Sequence, residues 1–163
     1  MRFFKYSILL CLLVFMHINP PARADGDIGV DLVRLKTTDG IQLTGVMRTP
    51  HNNEKNAGVV MIHGYSGNFY SGIMGFLPEA LADRGFATLA LILRDHDRGP
   101  NQNRFEDNRH DFAAAVNIIE QLGYNSIFLY GHSMGTNRVL YYLAKTGDSR
   151  IKGLLLTGPP GNL

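Results

Sequence analysis

Cysteine and tryptophan are nearly absent from this chain of 163 residues, which has one cysteine, Cys11, and no tryptophan. A single thiol can neither close an intramolecular disulfide nor build the multi-cysteine zinc sites of small structural domains. The Walker loop, the His-Glu-x-x-His pattern and the dinucleotide-binding glycine pattern are also missing from the sequence. The sequence therefore implies no cofactor and no metal site.

Long apolar runs are scarce as well. The run from Tyr6 to Phe15 has about ten residues, whereas roughly 20 are needed to cross a bilayer. A basic start precedes this run, and the small-x-small sequence Ala22–Ala24 follows it, which is the pattern of a secretory signal peptide. The alternative is an uncleaved membrane anchor, but Pro20-Pro21 interrupts the apolar segment and argues against it. We expect residues 1–24 to be removed, leaving 25–163 as a secreted or periplasmic domain with no stable membrane span.

The excess of positive charge belongs to the same segment. The whole chain has 16 basic and 14 acidic residues, a formal charge of +2. Arg2, Lys5 and Arg23 lie in the expected signal peptide, so 13 basic residues remain against the same 14 acidic ones, a charge of −1. The sequence therefore gives no support for binding nucleic acid or an anionic membrane surface.

The remaining chain predicts an α/β fold. Residues 30–36 and 41–48 read as an antiparallel hairpin around the turn Thr38-Asp39-Gly40. After Ala57, apolar runs alternate with segments of helical spacing: strands at 57–62, 87–93, 126–130 and 151–157, and helices at 75–84, 105–122 and 136–145. This order predicts a mostly parallel sheet with right-handed crossovers and helices on both faces.

The stretch "YGHSMGT", Tyr130 to Thr136, joins the third of these strands to the third helix. A serine at the apex of such a turn, Ser133, is presented at the carboxyl edge of the sheet, and the small neighbours Gly131 and Gly135 let strand and helix pass closely. The amide of Met134, at the helix start, can donate to an oxyanion. The alternative is an ordinary strand-to-helix turn with no chemistry.

A second segment, "MIHGYSGN", follows the first buried strand. Acyl transfer needs two donors where the oxyanion forms, and one of them usually comes from a loop after an earlier strand. His63 and Gly64 precede Tyr65, whose amide is the expected partner of the Met134 amide. Taken alone, the segment is better explained as a plain glycine-rich turn with a satisfied histidine, and the elbow downstream favours the oxyanion loop.

Together these segments resemble the α/β-hydrolase family, in its lipase/esterase-like or serine-aminopeptidase-like branch. The resemblance rests on "HGYSG" with its leading His63, the elbow Gly131–Gly135, the hairpin 37–50 and the strand and loop 85–99. It implies that Ser133 attacks an acyl carbonyl of a small-molecule ester, or of an amide, and forms an acyl-enzyme. It also implies that His63 supports the oxyanion loop and that His132 is structural.

The resemblance covers only the first part of that fold. The family's triad follows the order serine, then Asp or Glu, then histidine, but after Ser133 this sequence has one acidic residue, Asp148, and no histidine. Asp148 precedes the last predicted strand and is expected at the wrong end of the sheet, which leaves His96 as the least implausible upstream base. The expectation is the N-terminal part of a hydrolase, inactive or incomplete by itself. The alternatives are an amide hydrolase, or a non-catalytic product or subunit that needs a partner chain.

Two polar clusters have unremarkable interpretations. Asp95-His96-Asp97 could suggest a metal site, but three adjacent loop residues rarely converge on one ion, and a solvated loop near the site is expected. His110-Asp111 is expected on the exposed face of a helix.

Overall fold

A computed structural model describes residues 28–52, 55–96 and 104–161 of the chain. The expected signal peptide and the loop residues from Asp97 to Asn103 lie outside the described residues. Within these ranges no helix is long and apolar enough to cross a membrane.

The described residues form one mixed sheet of six strands in the order β1-β2-β4-β3-β5-β6. The first two strands are the predicted antiparallel hairpin, and β2 also pairs antiparallel with β4. The remaining pairs are parallel, so the mostly parallel sheet is confirmed. The strands are β1 (Gly29–Lys36), β2 (Gln42–Thr49), β3 (Ala57–Ile62), β4 (Ala87–Ile92), β5 (Ser126–His132) and β6 (Ile151–Thr157).

Helices α1 (Leu77–Ala82), α2 (Asn108–Gln121) and α3 (Met134–Thr146) connect the parallel strands. The helix expected over 75–84 is shorter, because Phe76, with φ of −130°, separates α1 from a preceding 3₁₀ turn at Gly72–Gly75. The helix expected over 105–122 likewise begins with a 3₁₀ turn at Phe105–Asp107. Leu122, the last residue of the helix expected over 105–122, is exposed and lies just beyond the end of α2.

The sheet has a core on each face, as helices on both faces require. Alternate residues of the fully buried β3 point to opposite sides, with Val60 and Ile62 in the larger core and Val59 and Met61 in the smaller one. The larger core includes residues of α2 and α3, and α1 packs on the smaller core. Because β3 lies between β4 and β5 in the sheet, the segment that follows it begins at the carboxyl edge between those two strands.

An ion-pair network, buried at Arg94 and Asp111 and exposed at Asp39, ties the hairpin to α2. The Arg94 guanidinium, 3% exposed, binds Asp111 at 2.7 Å and Asp39 at 2.6 Å. Asp111 is fully buried, so the expectation of an exposed His110-Asp111 pair is wrong, and His110 itself bonds Thr38 at 2.9 Å. Helical spacing did not predict the burial of Asp111, because its partner Arg94 is distant in sequence. Burial raises the pKa of Asp111, and the hydrogen bonds from Arg94 oppose that rise.

Strand β6 is the edge strand next to β5. Leu155 and Leu156 are consecutive and therefore point to opposite faces, yet both are more than 40% exposed. Leu140 of the neighbouring α3 is exposed as well. Among the described residues, this edge of the sheet is therefore apolar and incompletely covered.

Candidate active site

Ser133 is the single residue between β5 and α3, and its backbone is unusual. Its φ of 52° and ψ of −124° lie in a region that non-glycine residues rarely adopt. Such a conformation costs roughly 1–3 kcal/mol and persists only where surrounding contacts hold it. Two backbone contacts do so, since the Ser133 amide donates to the Thr157 carbonyl at 3.0 Å and the Thr136 amide donates to the Ser133 carbonyl at 2.9 Å. The sequence-predicted elbow is therefore present in the fold.

The two glycines of the elbow are required by close backbone approach. A β-carbon at Gly131 would lie 2.5 Å from the carbonyl oxygen of Gly135. A β-carbon at Gly135 would lie 2.6 Å from the Ile62 oxygen and 2.8 Å from the His63 oxygen. Helix α3 therefore begins in direct contact with the end of β3, which brings the two predicted segments together.

Gly64 completes that contact from the other side. A β-carbon there would lie 3.1 Å from the Ser133 β-carbon and 3.5 Å from its hydroxyl oxygen. The loop after β3 thus runs immediately beside the serine side chain, and Tyr65 follows with its own side chain exposed. The Met134 amide is at the first position of α3, where backbone N–H groups have no acceptor within the helix. The roles of these two amides as oxyanion donors stay predictions.

His63 is buried beneath this loop with both ring nitrogens engaged. The Leu93 amide can only donate, and it donates to Nε2 at 3.1 Å, so Nε2 carries no proton. The proton of the neutral ring is then on Nδ1, which donates to the Gly64 carbonyl at 2.6 Å. Burial, the largest cause, and the nearby Arg138 charge together lower the pKa of His63 to about 4, against the opposing effect of the hydrogen bond to Gly64. His63 therefore acts as a neutral brace for the loop and has no free nitrogen for Ser133.

This brace makes stability depend on pH. A histidine with a lower pKa in the folded than in the unfolded chain binds its proton more weakly when folded. Its contribution is complete above the unfolded pKa of 6.5 and is lost as pH falls toward the folded value of about 4. We expect the free energy of unfolding to fall by roughly 3 kcal/mol across this window, measured by urea unfolding at a series of pH values.

Two variants isolate the effect. The His63→Gln chain is expected to be less stable at neutral pH and to lack this part of the pH dependence. The His51→Gln chain changes an exposed histidine and is expected to keep it. Since Asp111 also titrates anomalously, the difference between wild type and His63→Gln is the informative quantity. If the free energy of unfolding fell equally in wild type and in His63→Gln between pH 6.5 and pH 4, the pH dependence could not be assigned to His63.

The other histidines and the downstream acid do not form a triad with Ser133. His132 bonds the Thr157 hydroxyl at 3.2 Å, and no hydrogen bond joins the Ser133 hydroxyl to any side chain in the described ranges. His96 lies at the carboxyl edge but makes no such contact. Asp148 lies before β6, at the opposite end of the sheet, where Arg150 lowers its pKa to about 2.

One feature of the site escaped the sequence reasoning. Arg138 of α3 is 2% exposed and forms an ion pair of 2.7 Å with Asp95, in the turn after β4. Its guanidinium also lies 3.4 Å from the carbonyl oxygens of His63 and Gly64. The expectation of a solvated Asp95-His96 loop is wrong for Asp95, which faces this pair. The helical pattern of α3 does not predict that Arg138 contacts the carbonyl groups of His63 and Gly64.

A metal site is not formed by the described side chains. Among residues 28–52, 55–96 and 104–161, no group of three or more His, Cys, Asp or Glu is arranged to hold an ion.

Comparison with known proteins adds a family and a set of relatives. A family model described as the α/β hydrolase fold matches residues 59–163. A non-heme haloperoxidase of Rhodococcus erythropolis is 32% identical over 82 residues, which are 49% of this chain and 30% of that protein.

Solved structures share the architecture. An esterase of Pyrococcus furiosus superposes with a TM-score of 0.69 at 22% identity, over 86% of this chain and 56% of that one. Est1E from Butyrivibrio proteoclasticus superposes with a TM-score of 0.63 at 26% identity, over 76% of this chain and 49% of that one. The chain thus spans about half, or less, of the length of these relatives.

Proposed function

Because the chain belongs to the α/β-hydrolase fold family, we propose that it is part of a hydrolase, with Ser133 as the nucleophile of a serine esterase. The observation that carries the proposal is the strained elbow of Ser133 with the backbone of Gly64 packed against its side chain. The strain is maintained by tertiary contacts, as expected where a side chain must be held in a reactive position.

The proposed chemistry is acyl transfer in two halves. The Ser133 hydroxyl loses its proton to a base while its oxygen bonds to the acyl carbon, and the carbonyl electrons move to the oxyanion. The Tyr65 and Met134 amides donate to that oxyanion. Collapse of the intermediate breaks the bond to the leaving oxygen, which takes the proton from the base and departs as the alcohol, leaving an acyl-enzyme. Water, giving its proton to the same base, then attacks the acyl carbon, and the base returns the proton to the Ser133 oxygen as the carboxylic acid is released.

A carboxylic ester of a small molecule is the proposed substrate. The similarity to the Pyrococcus furiosus esterase favours this class through the shared fold. An amide substrate, as in serine aminopeptidases, is the second candidate. We also propose that residues 1–24 act as a signal peptide that directs the protein to the periplasm or the exterior.

We propose that the base and the acid of the triad come from polypeptide outside these 163 residues. His63 is fully engaged, and no described histidine bonds Ser133. Since the chain covers only part of its relatives, we propose that residues following this sequence in a longer protein, or a partner chain, supply the missing pair. Without them the oxyanion donors and substrate binding would leave roughly 10³–10⁴-fold acceleration over water.

A fluorophosphonate probe tests this directly, because it phosphonylates only an activated serine. We expect labelling of Ser133 in the full-length gene product, located by peptide mass spectrometry, and very slow labelling of the isolated 163-residue chain. Rapid labelling of the purified 163-residue chain would show that the base is already present, with His96 the first residue to replace. No labelling of Ser133 in any form would refute the nucleophile assignment.

A further inference from the structure

The peptide group that joins Gly64 to Tyr65 is held from one side by three donors. Its carbonyl oxygen accepts from His63 Nδ1 at 2.6 Å, from the Gly67 amide at 3.2 Å and from Arg138 Nη1 at 3.4 Å. The peptide bond is planar and trans, so the N–H of Tyr65 points opposite to that carbonyl. Whatever fixes the direction of the carbonyl therefore fixes the direction of the proposed oxyanion donor.

Arg138 differs from the other two donors in carrying a full charge. It lies five residues after Ser133 on α3, so the helix that positions the serine also positions this guanidinium. Both of its contacts to the His63 and Gly64 carbonyls are 3.4 Å, at the long end for a hydrogen bond. Its contribution is mainly that of a positive charge facing two carbonyl dipoles, which is strong where water is excluded.

The free-energy cost of burying the Arg138–Asp95 ion pair indicates that the pair does more than stabilise the fold. Within the described residues, Arg138 Nε and Asp95 Oδ1 are buried without a hydrogen-bond partner. A buried ion pair with unsatisfied atoms is often no more stable than apolar side chains of similar volume. A methionine at this position would fill the space on α3 at lower electrostatic cost, but it would leave the two carbonyls without the charge.

We propose that Arg138, held by Asp95, is a positioning residue for the oxyanion hole, orienting the Gly64–Tyr65 peptide so that the Tyr65 N–H faces the space beside Ser133. This rests on the proposed function. Asp95 acts through Arg138 by holding Nη2 at 2.7 Å, which turns Nη1 toward the loop. Neither side chain touches the reacting atoms.

The test compares five variants of the full-length gene product with wild type, using a chromogenic ester and a trifluoromethyl ketone. The ketone bonds to the serine and places an oxyanion in the hole, so its affinity reports transition-state binding. For Arg138→Met we expect kcat to fall about 10- to 100-fold with KM within about twofold, and the ketone inhibition constant to rise by the same factor as kcat falls. Arg138→Lys, which keeps the charge, is expected to recover part of the loss.

Asp95→Asn and the Arg138→Met/Asp95→Asn double variant test the link between the two. If Asp95 acts only through Arg138, the double variant is no slower than Arg138→Met. Arg94→Met is the matched control, since Arg94 is an equally buried, ion-paired arginine that serves the hairpin instead of the loop. It is expected to lower the melting temperature while leaving both kcat and the ketone inhibition constant unchanged.

The failure of this inference differs from failure of the proposed function. A folded Arg138→Met enzyme with wild-type kcat and ketone affinity overturns the positioning role while Ser133-dependent hydrolysis stands. Equal kinetic losses in Arg94→Met overturn it too, because they indicate a general structural effect. A wild-type protein without Ser133-dependent hydrolysis or labelling overturns both.

Discussion

Replacing Ser133 by alanine is expected to lower kcat/KM for ester hydrolysis by roughly 10⁴–10⁶-fold in the full-length gene product. The alanine retains the backbone but removes the oxygen that, in the proposed mechanism, bonds to the acyl carbon. Background hydrolysis aided by the proposed oxyanion donors is all that should remain. The measurement is initial-rate hydrolysis of a chromogenic ester with fluorophosphonate labelling of the same samples.

The fold of this variant should be intact or slightly more stable, since alanine loses no hydrogen bond that the Ser133 hydroxyl makes in the described structure. Ser149→Ala is the control, because Ser149 is exposed and lies before β6, away from the carboxyl edge. It should keep wild-type kinetics. Retention of more than about a tenth of wild-type kcat/KM by Ser133→Ala would remove Ser133 from the nucleophile's role.

Replacing Gly135 by alanine is expected to destabilise the domain by at least about 4 kcal/mol, beyond the usual 1–3 kcal/mol of an overpacked core. In an open helix the same change would gain about 1 kcal/mol. Here the new methyl carbon would lie 2.6 Å and 2.8 Å from the carbonyl oxygens of Ile62 and His63. These are backbone atoms at the end of the central strand β3, so relief requires moving α3 and Ser133 with it.

Urea unfolding of Gly135→Ala against wild type measures this effect, and circular dichroism reports whether the variant folds at all. Gly161→Ala is the matched control, because a β-carbon at Gly161 meets no atom within 4 Å. Its stability should change by less than about 0.5 kcal/mol. A Gly135→Ala chain as stable as wild type would mean that α3 and the end of β3 are further apart than described here.

Much of the fold could be read from the sequence because its signals are local. The hairpin was visible in two strand patterns around Asp39-Gly40, and the parallel strands were visible as short apolar runs between helical segments. The elbow was predictable because glycine, serine and glycine at that spacing fell between a strand and a helix. The segment ends were less accurate, since the 3₁₀ turns before α1 and α2 depend on contacts with the rest of the chain.

The contacts between charged side chains could not be predicted from local sequence patterns. Asp111 looked like an exposed helical residue, and its burial follows from Arg94, which is 17 positions away in sequence. Asp95 looked like a solvated loop residue, and its partner Arg138 is 43 positions away. Periodicity reports which face of a single element is apolar, but it carries no information on which charges two elements will bring together.

The sequence by itself determined the order of strands and helices, the position of Ser133 on a turn between β5 and α3, and the absence of a downstream histidine within these 163 residues. The resemblance implied that His63 supports the loop, but only the tertiary structure decided that it does so as a neutral ring bonded at both nitrogens, and that Arg138 reaches the same peptide. The reason is that backbone conformation is set mainly by neighbours along the chain, whereas protonation and charge pairing are set by atoms that meet only when the sheet has formed.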